Sequence, residues 1–201
     1  TYREMRELSY AGFAVFHDEA LAPVLPAGIP VAIKNTHRPE GPGTQIVPYR
    51  EEAPGTVVGI AGERGFCTVL VSKYLMNREI GFGRQLLQIL EDYNIPYEHT
   101  PSGIDNISVI VNEDHFDSKT EATVVRRIYE ELDPDDVSVE RDLAMIMIVG
   151  EGMRHTVGIA ERTTRSFARA KANIEMINQG SSEVSMMFGV KGQDLDKAVQ
   201  A

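Results

Sequence analysis

The run Phe66-Cys67-Thr68-Val69-Leu70-Val71, with Phe82-Gly83-Arg84-Gln85-Leu86-Leu87-Gln88-Ile89-Leu90-Glu91-Asp92-Tyr93 behind it, decides how this chain is read. The first stretch holds β-formers and no charge, which predicts a buried strand. In the second, Phe82, Leu86, Ile89, Leu90 and Tyr93 recur at three- and four-residue steps, so 82–93 reads as an amphipathic helix. Downstream, Tyr97–Thr100 and Asn106–Val111 read as short strands. Ser118-Lys119-Thr120-Glu121 has capping-box spacing, in which the serine takes the Glu121 amide and that carboxylate reaches back. Val125, Ile128, Tyr129 and Leu132 then share a helical face, and Val137–Val139 supplies a fourth strand. The order is β-α-β-β-α-β, the split βαβ or ferredoxin-like unit of an α+β protein.

The order then restarts. Leu143–Val149 is a strand, and Thr156–Ala172 is helical, with Ala160, Phe167 and Ala168 apolar and Arg162, Arg165, Arg169 and Lys171 solvated. Ile174–Asn178 and Val184–Phe188 are strands, and Asp194–Ala201 opens a second helix in which the chain stops. Residues repeat as well as elements. Asn94-Ile95 and Asn173-Ile174 end the long helices, Gly103 and Gly180 follow, and each glycine precedes a strand serine, Ser108 or Ser185, by five residues.

Residues 1–50 have another character. Tyr2–Val15 is helical in part, through Met5, Leu8 and the Ala11–Phe13 patch, and Phe16–Leu21 offers a second short helical stretch. Pro23, Pro26, Gly28 and Pro30 interrupt the chain, Ile29–Ile33 is a strand candidate, and Asn35–Thr44 is a loop by composition. No self-contained core is expected here, and 48–56, with Pro48, Pro54 and Gly55, reads as a connector. The expected division is 1–50 as the end of one domain, 56–141 as a first repeat and 142–201 as a second, truncated at its C-terminus.

At 201 residues and 22.3 kDa, the chain can bury a core without staples. Thirty acidic against twenty basic residues give a net charge of −10, which argues against nucleic acid or an anionic membrane as partner. One cysteine, Cys67, excludes an intrachain disulfide framework and a cysteine-rich zinc site. No apolar run is long enough to span a bilayer, and the polar opening Thr-Tyr-Arg-Glu is no signal peptide. A start at threonine suggests a piece of a longer chain, and a cytoplasmic setting is expected.

Few motifs point to chemistry. Gly81-Phe82-Gly83 and Gly150-Glu151-Gly152 lack the third glycine of a dinucleotide fingerprint: Leu86 and His155 stand there. His17, His37, His99, His115 and His155 are not spaced as metal pairs. Ser102-Gly103 and Ser181-Ser182 suit turns, Cys67 lies in an apolar strand, and no catalytic constellation emerges. One constellation remains. The chain from Lys73 through Met76, Asn77, Glu79 and Ile80 to Gly81-Phe82-Gly83 leads from a strand into a helix. Amides at such a helix start, unpaired and at the positive end of the dipole, bind carboxylates. Glu98 and Asp105 follow nearby, so the turn reads either as an amino-acid pocket or as glycines that only shape a turn beside solvated acids. In the second repeat, Gly150-Glu151-Gly152-Met153 with Ser181, Ser182 and Glu183 reads as a second pocket or an interface.

Several segments resemble the aspartokinase family. These are Met5–Phe13, His17–Ala20, and Ile29–Thr36 through Pro42-Gly43-Thr44, which resemble the last part of its amino-acid-kinase domain. Asn94-Ile95, Pro101–Asp105, Ile107-Ser108-Val109 and Asn173–Ser185 resemble its two regulatory ACT domains. The resemblance implies two tandem ferredoxin-like ACT domains preceded by a short remnant of an α/β kinase domain. It implies a parent enzyme that phosphorylates aspartate with ATP and Mg, while this chain carries neither catalytic site nor cofactor. It implies an effector, lysine in first place or threonine, for allosteric feedback on the chain's own kinase domain. Met76 and Gly81-Phe82-Gly83 match the helix-start element of the effector site, Pro96, Tyr97 and Glu98 the second-strand element, and Ser102–Asp105 the following turn. Asn77 and Glu79 stand where lysine-sensing relatives often carry serine. Tyr97 and Glu98 stand where a small residue and an aspartate are common, which keeps the acidity and changes the pocket size. Helix-start amides would take the α-carboxylate and Glu98 or Asp105 an ammonium. The resemblance also implies paired ACT domains and hence a homodimer. A free-standing ACT subunit acting on a kinase in trans is the alternative.

Overall fold

The computed structural model describes residues 1–15, 18–51, 55–180 and 184–201. They form two compact units. Unit 2 is Arg64–Ala144, and unit 1 joins Thr1–Glu63 to Met145–Ala201. Two long strands, β3 (Gly59–Ser72) and β5 (Asp136–Val149), each contribute one end to either unit.

Unit 2 follows the expected β-α-β-β-α-β order except at its second strand. α2 (Phe82–Asp92) follows β3, and α3 (Ser118–Leu132) lies between β4 (Asn106–Asn112) and β5. The strand order is β4-β3-β5, with β3 and β4 antiparallel and Ser72 opposite Asn106. Alternation decides which side of each strand is inside: Cys67, Val69 and Val71 on β3 and Ile107, Val109 and Val111 on β4 face one core. Phe82, Leu86, Ile89 and Leu90 of α2 meet them there, as the spacing predicts, whereas Tyr93 is the exposed C-cap, stacked under Arg127. Full burial of such side chains stabilises by roughly 1.5–3 kcal/mol each.

The structure corrects several expectations in this unit. Tyr97–Thr100 is no strand: Pro96 and Pro101 carry no N–H, and the segment makes only isolated bridges, His99 to Ile110 and Ser102 to Ile107. The α3 cap is Asp117, whose Oδ1 accepts the Thr120 amide at 2.7 Å, not Ser118. Glu121 is thereby free to bond Arg141 on β5. One helix position earlier than expected, Val124 rather than Val125 joins Ile128 and Leu132 inside, and exposed Tyr129 takes the Val137 amide on its hydroxyl. Val137–Val139 and Leu143–Val149 are one strand, within which Asp142 adopts φ +59°.

In unit 1 the strand order is β3-β5-β7-β6, where β6 is Met176–Asn178 and β7 is Ser185–Lys191. α4 (Ile159–Ala170) and α5 (Leu195–Val199) complete the repeat. Leu143–Val149 is buried at every position, as its unbroken apolar run demands. A ferredoxin-like unit needs a last strand beside its first. Here Gly59–Glu63 occupies that place, so the repeat that stops at α5 is completed from upstream. Val58 donates to Val149 at 2.8 Å in unit 1 and Asp135 to Ser72 at 2.8 Å in unit 2, an unchanged antiparallel register. Ile159, Thr163 and Phe167 form the buried stripe of α4, with the Phe167 ring 4.8 Å from Phe188. Of the apolar positions Ala160, Phe167 and Ala168, only Phe167 is buried, and both alanines are exposed.

Residues 1–50 do have a small core, contrary to expectation. α1 (Tyr2–Tyr10) lays Tyr2 and Met5 against Leu21, Val31, Ile33 and Ile46. Helix α1 opens with a capping box that the sequence reading overlooked: Thr1 accepts the Glu4 amide and Glu4 reaches back. The expected strand shortens to β1 (Val31–Ile33), paired with an unforeseen β2 (Thr44–Ile46). Of the Phe16–Leu21 stretch, Asp18–Leu21 is a 3-10 turn, while Phe16 and His17 lie outside the described residues, as does Pro54 of the connector.

Candidate functional site

The β3–α2 connection is built from backbone donors and one aspartate. The Lys73 amide donates to the Asp105 carbonyl at 2.8 Å and the Leu75 amide to Asp105 Oδ1 at 2.9 Å. Leu75 takes φ +61°, a left-handed conformation unfavourable for a branched side chain and held here by that carboxylate. A 3-10 turn, Met76–Arg78, follows, with the Asn77 amide on the Ile104 carbonyl at 3.1 Å. Tyr74 donates its amide to Asp135 Oδ2 at 2.6 Å. The Lys73 ammonium reaches Glu79 at 2.7 Å and the last carbonyl of α3, Leu132, at 2.6 Å. Gly81 caps α2 at φ +87°, and the space beside its Cα is open for 4 Å where a side chain would begin. Only glycine adopts this backbone without cost.

The connection therefore ends in a helix start with open backbone donors. The Phe82 amide is used by Glu79, but those of Gly83 and Arg84 meet no acceptor among the described residues. These are the orphan donors of a helix start. Asp105 supplies the acid: Oδ1 is engaged by Leu75, and Oδ2 makes no hydrogen bond among the described residues.

The expected site residues sort into three groups. Asn77, Glu79, Ile80, Gly81, Gly83 and Asp105 gather at the connection, with Ser102 across from Ile107, whose side chain approaches Gly83. Met76 and Phe82 belong to the same segment, but their side chains are buried in the core. Tyr97 and Glu98 lie elsewhere. The Glu98 amide bonds the Ile110 carbonyl, about 13 Å along the sheet from Asn106 at strand rise. Tyr97 lines a shallow hollow with Leu87 and Glu91, by the far end of α2. Burial raises the Glu98 carboxyl above its usual range, opposed by His115 nearby. Lys73 and Leu75 lie in the expected stretch without an expected role, and Asp135 is unexpected, because holding a loop through its amides leaves no motif.

The second repeat's counterpart is shifted from where the glycines suggested. Gly150 precedes a 3-10 turn, Glu151–Met153, and the cap of α4 is Gly158 at φ +93°. The expected partners Ser181, Ser182 and Glu183 lie outside the described residues. Among the described residues no group of histidine, cysteine and acids is placed to hold a metal ion, and no helix is long and apolar enough to cross a membrane. Burial pushes the Cys67 thiol up to about 11, which fits a structural side chain.

Two ferredoxin-like units, each with a glycine-capped helix entered from a 3-10 turn, define a pair of ACT domains. The family profile for the ACT domain matches residues 146–201. The chain is 60% identical over 201 residues to aspartokinase 3 of Bacillus subtilis (strain 168), covering all of this chain and 44% of that one. It is similar to the aspartate kinase of Clostridium acetobutylicum, with 40% identity and a TM-score of 0.90 over 99% of this chain and 45% of the other. It shares its fold with Escherichia coli aspartokinase III in complex with lysine and aspartate (T-state), at 22% identity and TM-score 0.76, over 99% of this chain and 44% of that one. Over its whole length the chain is similar to aspartokinases and to their regulatory ACT region, and it spans less than half the length of these relatives.

Proposed function

We propose that this chain is the effector-binding region of an aspartate kinase. It takes an end-product amino acid, lysine in first place and threonine in second, on the β3–α2 connection. Occupancy then inhibits ATP-dependent phosphorylation of aspartate by the kinase domain. The observation that carries this reading is the pair of unused amides at Gly83 and Arg84, at the end of the same connection that Asp105 braces through the Lys73 and Leu75 amides. The amides suit an α-carboxylate and Asp105 suits an ammonium, the two ends of a zwitterion. Lysine in the T-state complex of the Escherichia coli relative supports the choice of ligand class. Of the two acids expected for the ammonium, Glu98 or Asp105, this reading takes Asp105, because the Glu98 backbone pairs with Ile110 about 13 Å along the sheet from Asn106.

The helix start is open: Ile80 beside it is 98% exposed. A second copy of the chain covering it would complete the pocket, and a homodimer follows. An effector that binds one arrangement better than another shifts the equilibrium by that difference in affinity.

Isothermal titration of the chain with lysine and threonine, separately and together, tests the reading. Saturable heat with lysine, abolished in Asp105→Ala, is expected. Heat with threonine alone would remove lysine, and no heat with either would remove the site. Sedimentation that shows only monomer at high concentration would remove the dimer.

A further inference from the structure

The connection between β3 and α2 holds a cation of its own. Lys73 leaves the end of β3 with its amide on the Asp105 carbonyl at 2.8 Å, which seats it next to the acid assigned to the ligand's ammonium. Its Nζ lies 2.7 Å from Glu79 Oε2, donates to the Leu132 carbonyl at 2.6 Å and stands 5.6 Å from the centre of the Phe82 ring. An ammonium has three donors and no acceptor, and a carboxylate, a helix-end carbonyl and a ring face are partners that suit it. The Lys73 side chain is 20% exposed, so its stem is covered and its charge is held in one place. The Glu79 side chain is 39% exposed, with its carboxylate committed to Lys73. The charged residues of 73–81 are Lys73, Arg78 and Glu79, and Asp105 and Asp135 brace the segment from outside through the Leu75 and Tyr74 amides. Two cations therefore stand against three acids.

We infer that Lys73 is a specificity-determining residue of this connection: by cancelling Glu79 it limits the net negative charge there, and so sets how strongly a cationic amino acid is preferred to a neutral one. This rests on the function proposed above, since it concerns the ligand taken at that place. The sign follows from charge alone. Near neutral pH lysine carries one net positive charge and threonine none, so removing a positive charge from the connection favours lysine and leaves threonine almost unchanged. The backbone amides that take the α-carboxylate are the same for both ligands and drop out of the comparison. Lys73 and Glu79 both remain partly in water, so the effect is moderate: about fivefold in affinity per unit charge at low ionic strength, shrinking as salt shortens the reach of the field.

Isothermal titration of the 201-residue chain compares two variants in which the ion pair is equally broken. Lys73→Met keeps the stem and drops the charge, and the double variant Lys73→Met/Glu79→Gln drops the exposed carboxylate as well. Any loss of loop support from Lys73 is common to both and cancels. Lysine should bind the single variant about fivefold more tightly than the double variant at low salt, and about twofold or less near 1 M salt, where the Debye length is about 3 Å. Threonine should bind the two alike. Should Lys73→Met fail to fold, Glu79→Gln set against the unsubstituted chain makes the same comparison with Lys73 in place: lysine about fivefold weaker, threonine unchanged. Equal lysine affinities, or a threonine change as large as the lysine change, overturn the inference and leave Lys73 as a support for the loop. No heat with lysine in the unsubstituted chain overturns the proposed function, and this inference with it.

Discussion

Replacing Glu4 by glutamine should remove one component of the chain's acid sensitivity over a defined window. Burial by itself would raise the Glu4 carboxyl. In the isolated 201-residue chain, hydrogen bonds from the Thr1 amine, the Glu151 amide and Arg50 overcome that and hold it at about 2, against an ordinary 4.5. A drop of this size corresponds to about 3 kcal/mol of native-state stabilisation at ~1.4 kcal/mol per pH unit. The sign follows from which state takes the proton first. Above pH 4.5 the carboxylate is ionised in both states and the full contribution is present. As pH falls from about 5 toward 2, the unfolded chain is protonated while the folded one is not, and the contribution drains away. Glutamine keeps the shape and one acceptor but has no charge to lose. Urea denaturation of both proteins at pH 7, 5, 4 and 3 measures the gap between them. It should be about 2–3 kcal/mol at pH 7 and narrow steadily below pH 5. Other acid-sensitive groups are common to both proteins and cancel: Asp92, lowered by Gln88 and Arg127, and Asp117, lowered by the Thr120 amide. A gap of constant size from pH 7 to 3 would refute the reasoning, since the buried group would then not be a carboxylate stabilised by its donors.

Asp117→Ala should cost about 1 kcal/mol in thermal or urea unfolding, while Ser118→Ala costs almost nothing, because only the aspartate caps α3. Gly150→Ala should cost more than Gly158→Ala, with circular dichroism melts as the readout. At Gly150 the added carbon meets the Thr56 and Val57 backbone, whereas at Gly158 it meets open space and only the φ of +93° costs, about 1 kcal/mol. Cys67 should react with a thiol reagent only on the timescale of unfolding, since the thiol is buried and its pKa is about 11. Asp105→Ala should speed exchange of the Leu75 amide and abolish the lysine heat with only ~1 kcal/mol of lost stability.

The candidate site was legible only in part, and particular residues show why. Gly81 and Gly83 announce a helix start, since glycine before an apolar period is a local signal. Asp105 was legible as an acid near the turn, but its main bond, to the Leu75 amide across thirty positions of chain, was not. Glu98 looked close because it stands four residues before Ser102. In an extended segment four residues are about 13 Å, and the acid is carried away from the helix start. Ala160 and Ala168 gave no guide to the buried face, because alanine suits either face of a helix and its apolarity says little about burial. Thr163, a polar residue, took the inner position instead.

What the amino-acid order determined by itself was everything local: the 3.6-residue stripe of α2, the alternation of β3 and β4, the breaks at proline and glycine, and the recurrence of one unit twice. These depend on neighbours a few residues apart, and their chemistry is complete within a short window. Tertiary structure alone decided which strand closes each unit. Gly59–Glu63 completes a repeat whose other strands come more than eighty residues later, and Glu4 reaches Glu151 across 147 positions. No window of sequence contains both partners of such a contact, because long-range pairing is set by the burial of whole faces rather than by the preferences of single residues.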